Sequence, residues 1–139
     1  MIFAKSSTRT RVSFEVGIFE LGGHPVYLDQ MGRGETVPDT ARVLERYLSG
    51  IVIRTFAQQD LIDLAANAHI PIINALTDDF HPCQALTDMF TMYEYAHKLE
   101  GLKLAYLGDG ASNMANSLML ASQLAGVNMV IAAPEEYKP

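Results

Sequence analysis

Residues 2–11 read Ile-Phe-Ala-Lys-Ser-Ser-Thr-Arg-Thr-Arg, a short apolar strand that gives way at once to the start of a helix. The first four N–H groups of a helix have no intrahelical partner and carry a partial positive charge of about +0.5. Hydroxyl and guanidinium groups in that first turn can join the backbone in binding one phosphate. We therefore predict an anion site formed by Ser7, Thr8, Arg9 and Thr10. The alternative is a helix capped by Ser7 with solvated arginines.

Short apolar runs alternate along the chain with segments of helical periodicity. This order predicts an α/β fold with a parallel sheet, flanking helices and right-handed crossovers. The predicted strands are residues 2–4, 25–28, 51–54, 71–74, 102–107 and 127–132. The predicted helices are residues 8–21, 36–48, 58–68, 83–97 and 112–124. In the first helix, we expect an apolar stripe made of Val12, Val16 and Phe19, widened by Ile18 and Leu21.

The segment from Lys98 to Gly101 is a candidate domain junction. We expect residues 1–98 to form one α/β domain and residues 99–139 to begin a second with its first βαβ unit. Both chain ends lie beside predicted strands, so we also expect the sequence to be a piece of a longer protein.

Polar segments follow the predicted strands at their carboxyl ends, the edge where open parallel sheets bind ligands. Five such segments occur, at residues 6–11, 29–36, 54–55, 77–84 and 108–113. Because they fall on one edge of a sheet, they point to a ligand site more strongly together than any one of them does alone.

Arg54 ends an apolar strand, where an unpaired guanidinium is costly to bury. It is either ion-paired with an aspartate or a second arm of the phosphate site. His81 can donate a hydrogen bond to a carbonyl oxygen, and Gln84 can accept one from an amide. The alternative for His81 is an exposed loop residue. We expect Cys83 to pack as a small apolar group, and Asn113 either to cap a helix or to bind a substrate carboxylate or ammonium.

The composition excludes several classes of protein. The chain has 139 residues, a formal net charge of −6 and one cysteine. A large nucleic-acid footprint, an internal disulfide and a membrane-spanning helix are therefore not expected. Four histidines without metal-ligand spacing predict no metal site, and we interpret His24, His69 and His97 as structural. A reducing, cytoplasmic setting is the expected location.

The sequence STRTR at 7–11, the strand ending in Arg54 and HPCQALTD at 81–88 together resemble the aspartate and ornithine carbamoyltransferase family. The resemblance covers essentially the whole chain. Three features are similar to the ornithine branch: the cysteine in the second motif, the Asn-Met-Ala-Asn-Ser run at 113–117, and Asp-Gln-Met-Gly at 29–32. The Arg-Gly-Glu run at 33–35 is instead similar to the aspartate branch.

The resemblance implies carbamoyl transfer from carbamoyl phosphate to the δ-amine of L-ornithine, giving L-citrulline and phosphate in arginine biosynthesis or degradation. It implies no cofactor and a homotrimer with shared sites. Residues 1–98 would be the carbamoyl-phosphate-binding domain and residues 99–139 the start of the ornithine-binding domain. Another transcarbamylase, for aspartate, putrescine or an N-acylornithine, and a non-catalytic carbamoyl-phosphate-binding relative remain alternatives.

The family pattern also implies a role for each predicted site residue. Carbamoyl phosphate would be bound by Ser7, Thr8, Arg9, Thr10, Gln30, Arg54, His81 and Gln84, and ornithine by Asn113. Of these, Arg54, His81 and Thr10 would be catalytic, and Gln30 would reach a neighbouring subunit's site. Arg11 is interpreted as a structural ion-pair partner. These 139 residues alone are expected to be inactive.

Overall fold

The computed structural model describes residues 1–32 and 34–139. Its strands are β1 (Ile2–Phe3), β2 (Ile51–Arg54), β3 (Ile72–Leu76), β4 (Lys103–Leu107) and β5 (Asn128–Ala132). Its α-helices are α1 (Arg9–Glu20), α2 (Val37–Leu44), α3 (Gln58–Asn67), α4 (Pro82–Ala96) and α5 (Asn113–Ala125), and a short 3₁₀ helix spans Glu135–Tyr137. The chain forms two compact units, Met1–Thr77 and Asp78–Pro139.

In the first unit, β1, β2 and β3 form a parallel sheet in that order. Side chains alternate between the two faces of a strand, and β2 shows this directly. Ile51 and Ile53 are fully buried in a cluster against α2 and α3, whereas Val52 lies in a second cluster with Phe3 and Ala75. The predicted parallel α/β fold is confirmed, with helices covering both faces of the sheet.

Helix α1 packs through only one residue of the predicted stripe, Ile18, together with Phe14, which the stripe did not include. Phe14 and Ile18 pack against the second core cluster of this unit. Val12, Val16 and Phe19 are 53%, 47% and 72% exposed. Because α1 carries apolar residues around most of its circumference, the periodicity alone did not identify the face that contacts the sheet.

The segment predicted as a strand at residues 25–28 makes only one parallel bridge, between Leu28 and Ile2. Backbone hydrogen bonds from Phe3 N to Leu28 O and from Leu28 N to Met1 O hold it beside β1. Helix α2 begins as the sequence predicts. Thr36 is its N-cap, and the Thr36 hydroxyl oxygen accepts a hydrogen bond from Asp39 N at 3.3 Å.

In the second unit, β4 and β5 pair in parallel and α5 connects them, so the expected βαβ unit is present. Helices α4 and α5 enclose a core that contains Ala85, Met89, Leu118 and Val127. No helix in the part of the chain that the structure describes is both long and apolar enough to cross a membrane.

His97 is the C-cap residue of helix α4, and its φ of 55° lies in the left-handed region. A non-glycine residue in that region costs about 1 kcal/mol, whereas glycine adopts it without a Cβ clash. We therefore expect His97→Gly to raise the free energy of unfolding by about 0.5 kcal/mol after the greater backbone entropy of the unfolded glycine is subtracted.

Urea denaturation would measure this change. The matched control is Gly126→Ala at the end of α5, where φ is 68° and a Cβ would lie 3.2 Å from the Glu100 side chain. Gly126→Ala should destabilise the protein. Equal stability of His97→Gly and the wild type would show that the left-handed residue carries no net strain.

Candidate functional site

The first turn of α1 has the features of an anion site. Thr8 is the N-cap residue, yet its side chain forms no capping hydrogen bond, and the first turn contains no acidic residue. Ser7 and Thr10 are half-buried, and their hydroxyl groups form no hydrogen bond within residues 1–32 and 34–139. The alternative of a helix capped by Ser7 is therefore not observed, and the hydroxyls and the N–H groups of this turn remain available to an oxyanion.

The two arginines of this turn differ in their surroundings. Arg9 is exposed and forms no ion pair with any residue that the structure describes. Arg11 lies 3.6 Å from the centre of the Tyr27 ring and 3.4 Å from the Glu15 carboxylate. The interpretation of Arg11 as a structural ion-pair partner is thus confirmed, and Arg9 is the guanidinium that is free to meet a ligand.

Arg54 ends β2 beside this turn, because the backbone N–H of Ala4 donates to Arg54 O at 2.9 Å. The Arg54 side chain is half-buried, and its Nε is buried with no hydrogen-bond partner among the described residues. Burial lowers the pKa of Arg54 from its ordinary value. Within the described chain no aspartate pairs with Arg54, so the ion-pair alternative is not observed.

Two buried threonines follow the strands at this edge, in polar segments that the sequence analysis placed there, but their hydrogen bonds were not predicted. Thr55 donates to the Asp60 carboxylate at 3.0 Å, and Thr77 donates to the Gln58 side-chain oxygen at 2.6 Å. Both bonds tie a strand end to the first turn of α3. A polar residue directly after an apolar strand is the sequence signal that marks such positions.

In the second unit, His81 is the N-cap residue of α4, and Pro82 occupies the first helical position. The backbone N–H of His81 donates to Ser117 Oγ at 2.7 Å. The Asn116 side chain donates to the Asp79 carbonyl at 3.1 Å. Helix α5 therefore fixes the loop that carries His81. The sequence did not indicate that Asn116 and Ser117 bind this loop.

Gln84 and Cys83 lie in the first turn of α4. Gln84 is exposed, and its side-chain amide donates to the Asp88 carboxylate at 2.8 Å. Cys83 is half-buried, and burial raises the pKa of its thiol, which disfavours the nucleophilic thiolate. This supports the interpretation of Cys83 as a packed apolar group.

The turn between β4 and α5 is ordered by its own side chains. Ser112 is the N-cap of α5 and accepts from Ala115 N at 3.3 Å, so Asn113 is not the cap. The Asp109 carboxylate accepts from Ala111 N at 2.9 Å. Asn113 is half-buried at the first helical position of α5, at the carboxyl end of β4.

Gln30 is exposed in the loop that follows the Leu28 bridge. Of the Arg-Gly-Glu run similar to the aspartate branch, Arg33 lies outside the described residues. Glu35 accepts a hydrogen bond from the Thr40 hydroxyl at 3.3 Å. In the first unit, the backbone bond between Ala4 and Arg54 therefore places Arg54 beside the loop that leads into the turn 7–10, whereas Gln30 forms no hydrogen bond with either among the described residues.

A cleft of about 530 Å³ lies elsewhere in the first unit, at the C-terminal ends of α2 and α3. These helix ends lead into the amino ends of β2 and β3, the edge opposite to Arg54. Glu45 lines the cleft and accepts from the His69 backbone N–H at 2.9 Å and pairs with the His69 ring at 3.0 Å. His69 thus has the structural role that the sequence suggested.

These bonds lower the pKa of Glu45 from its ordinary value of 4.5, the largest cause being the His69 backbone N–H. A depressed carboxyl pKa contributes stability that is complete above 4.5 and is lost as the pH falls below that value. We expect Glu45→Gln to reduce the loss of stability below this pH, as measured by urea denaturation at a series of pH values. If the variant lost as much stability as the wild type below pH 4.5, the stabilising role of the Glu45–His69 bonds would be contradicted. Glu94→Gln, at an exposed position of α4, is the control.

Two family profiles match the sequence. The profile described as aspartate/ornithine carbamoyltransferase, carbamoyl-P binding domain, matches residues 1–94. The profile described as aspartate/ornithine carbamoyltransferase, Asp/Orn binding domain, matches residues 100–139.

Curated proteins and solved structures show the same likeness. The chain is 56% identical to an ornithine carbamoyltransferase of Bacillus anthracis and 57% identical to one of Anoxybacillus flavithermus, over all of this chain and 45% of each relative. The ornithine carbamoyltransferase structure from Pyrococcus furiosus superimposes with a TM-score of 0.95 at 51% identity, over 100% of this chain and 45% of that one. The ornithine carbamoyltransferase structure from Thermus thermophilus superimposes with a TM-score of 0.93 at 45% identity, over 99% of this chain and 49% of that one. The chain thus spans about half the length of these relatives.

Proposed function

Because the chain belongs to the aspartate/ornithine carbamoyltransferase family, we propose that the full-length protein transfers the carbamoyl group of carbamoyl phosphate to the δ-amine of L-ornithine. The products are L-citrulline and phosphate. The observation that carries this proposal is the first turn of α1, whose hydroxyls and Arg9 have no partner among the described residues and lie beside the desolvated Arg54. Relatives named ornithine carbamoyltransferase match over the whole chain, which supports ornithine as the amine.

We assign the phosphate of carbamoyl phosphate to Ser7, Thr8, Arg9 and Thr10. The N–H groups and the dipole of α1 favour the departing phosphate, which gains negative charge as the bond to the carbamoyl carbon breaks, over the acyl phosphate of the substrate. Arg54 spans the phosphate and the carbonyl oxygen, because a guanidinium presents several donors in a fixed plane.

In the reaction the neutral amine attacks the carbamoyl carbon, and negative charge develops on the carbonyl oxygen. Hydrogen bonds from Thr10, Arg54 and His81 stabilise this charge, each worth about 3 kcal/mol if it acts as an oxyanion-hole donor. The bond between the carbamoyl carbon and the bridging oxygen then breaks. Phosphate leaves with the bonding electron pair, and the proton released by the amine passes to a phosphate oxygen.

The remaining assignments concern recognition and assembly. Gln84 accepts a hydrogen bond from the carbamoyl NH₂ group, and Asn113 binds the α-amino-acid end of ornithine. Gln30, exposed in its loop, reaches the site of a neighbouring subunit in a homotrimer. We place the protein in the cytoplasm, in arginine biosynthesis or degradation.

For the domains we propose 1–98 as the carbamoyl-phosphate-binding domain and 99–139 as the start of the ornithine-binding domain. The family profiles, which match residues 1–94 and 100–139, favour this division. The compact units divide at Thr77 instead, since α4 packs with α5 in the second unit.

The test is an assay of the full-length protein with carbamoyl phosphate and each of four amines: ornithine, aspartate, putrescine and N-acetylornithine. We expect citrulline from ornithine alone. Product from another amine would assign the protein to a different transcarbamylase, and binding of carbamoyl phosphate without product would identify a non-catalytic relative. The 139 residues alone should give no citrulline.

The two arginines of α1 provide a further prediction. Arg9→Ala should weaken carbamoyl phosphate binding by about tenfold or more, because it removes a charge-assisted donor. Arg11→Ala should leave the affinity within about twofold and instead lower the melting temperature, because Arg11 is held by Tyr27 and Glu15. Calorimetric titration and thermal melting of both variants would measure this; a larger loss of affinity in Arg11→Ala would reverse the assignment.

A further inference from the structure

We propose that Lys5 and Phe56 form a positioning pair that joins the loop entering α1 to the loop following Arg54 and thereby sets the affinity for phosphate. The proposal rests on the proposed function, since it takes the first turn of α1 as the place where the phosphate of the substrate binds. Neither residue is assigned a contact with the substrate.

The two residues lie in the loops that follow two neighbouring strands, β1 and β2. Phe3 of β1 is in register with Arg54 of β2, and Ala4 N donates to Arg54 O at 2.9 Å. Beyond that bond the two backbones lead to different helices, α1 and α3. Lys5 Nζ lies 5.0 Å from the centre of the Phe56 ring, which joins the two loops just before they diverge.

The Phe56 ring is 52% exposed, so burial of apolar area accounts for only part of its placement. An ammonium group within about 6 Å of a ring face is attracted by the ring quadrupole. The contact thus gives the exposed ring a function: it holds the Lys5 cation, three residues before Thr8, at the edge where the phosphate is proposed to bind. Loss of the contact between Lys5 and Phe56 would loosen both loops. It would also let the Lys5 ammonium group move away from the place where the phosphate of the substrate is proposed to bind.

The experiment is a double-mutant cycle in the full-length protein, with Phe56→Leu, Lys5→Met and the combined variant. Calorimetric titration gives the Kd for carbamoyl phosphate, and steady-state kinetics give kcat and the KM for each substrate. We expect Phe56→Leu to raise the Kd by about two- to fivefold, as the loss of a partly exposed cation–π contact does. Lys5→Met should raise it at least as much, and the combined variant no further than Lys5→Met alone.

Further variants distinguish positioning from general stability. Phe56→Tyr keeps the ring face and should restore the wild-type Kd, while kcat and the KM for ornithine stay unchanged throughout. Tyr47→Leu removes another exposed ring, 81% exposed, from the same unit and should not change the Kd. A lower melting temperature for Phe56→Leu with an unchanged Kd, or additive effects of the two substitutions, would overturn the pair and leave the proposed function intact.

The two proposals fail in different ways. If no amine yields product but the cycle still shows coupling in the Kd, the proposed function is wrong and the positioning pair stands. If the wild type does not bind carbamoyl phosphate, both are overturned.

Discussion

Arg54→Ala in the full-length protein is expected to lower kcat/KM for carbamoyl phosphate by about a thousandfold. The guanidinium is proposed to span the leaving phosphate and the carbonyl oxygen, and the loss of one preorganised oxyanion donor alone costs about 10²–10³ in rate. The Arg54 side chain is half-buried, and this burial lowers the pKa of its guanidinium, so water screens its charge less than it would on an exposed arginine.

The fold should survive this substitution. Arg54 Nε is buried without a hydrogen-bond partner among the described residues, so truncation leaves no partner group stranded. The melting temperature should therefore change little while turnover collapses. Arg42→Ala is the matched control, because Arg42 is an exposed arginine of the same unit, paired with Asp39 at the opposite edge from Arg54. Turnover of Arg54→Ala close to the wild-type value would contradict the assigned role.

Hydrophobic periodicity predicted the order of strands and helices, because runs such as Ile51–Ile53 can only be buried between layers. It did not predict how α1 packs. Phe14, Ile18, Val12 and Val16 are all apolar, and only the position of α1 over the sheet decides that the first two face the core. Helix ends followed local chemistry, as Thr36 shows, whereas the choice between Ser7 and Thr8 as cap did not follow from residue type.

The candidate site likewise contains residues that the sequence predicted and residues that it did not. Residue types that bind oxyanions, placed between a strand and a helix, led us to predict the turn 7–10 and Arg54 as one site, and this site stays a proposal. The residues that hold the site in place were missed. Ser117 binds the backbone of His81 from 36 positions away, and a contact at that separation exists only in the folded chain. Lys5 and Phe56 were missed for the same reason.

His81→Ala is the second substitution with a large expected effect, a fall in kcat of about a hundredfold. The imidazole is proposed to donate a hydrogen bond to the carbonyl oxygen as charge develops there, and one such donor is worth about 10²–10³ in kcat. Because this charge is greatest in the transition state, kcat should fall more than the affinity for carbamoyl phosphate. Single-turnover kinetics and calorimetric titration would separate the two.

The surroundings of His81 make the experiment specific to its side chain. Its backbone N–H donates to Ser117 Oγ, and Pro82 fixes the start of α4, so both anchors remain in the alanine variant. His81→Gln keeps a side-chain donor and should recover part of the rate. His24→Ala, an exposed histidine in the other unit, is the control and should have the wild-type kcat. Wild-type kcat in His81→Ala would show that other groups stabilise the charge on the carbonyl oxygen.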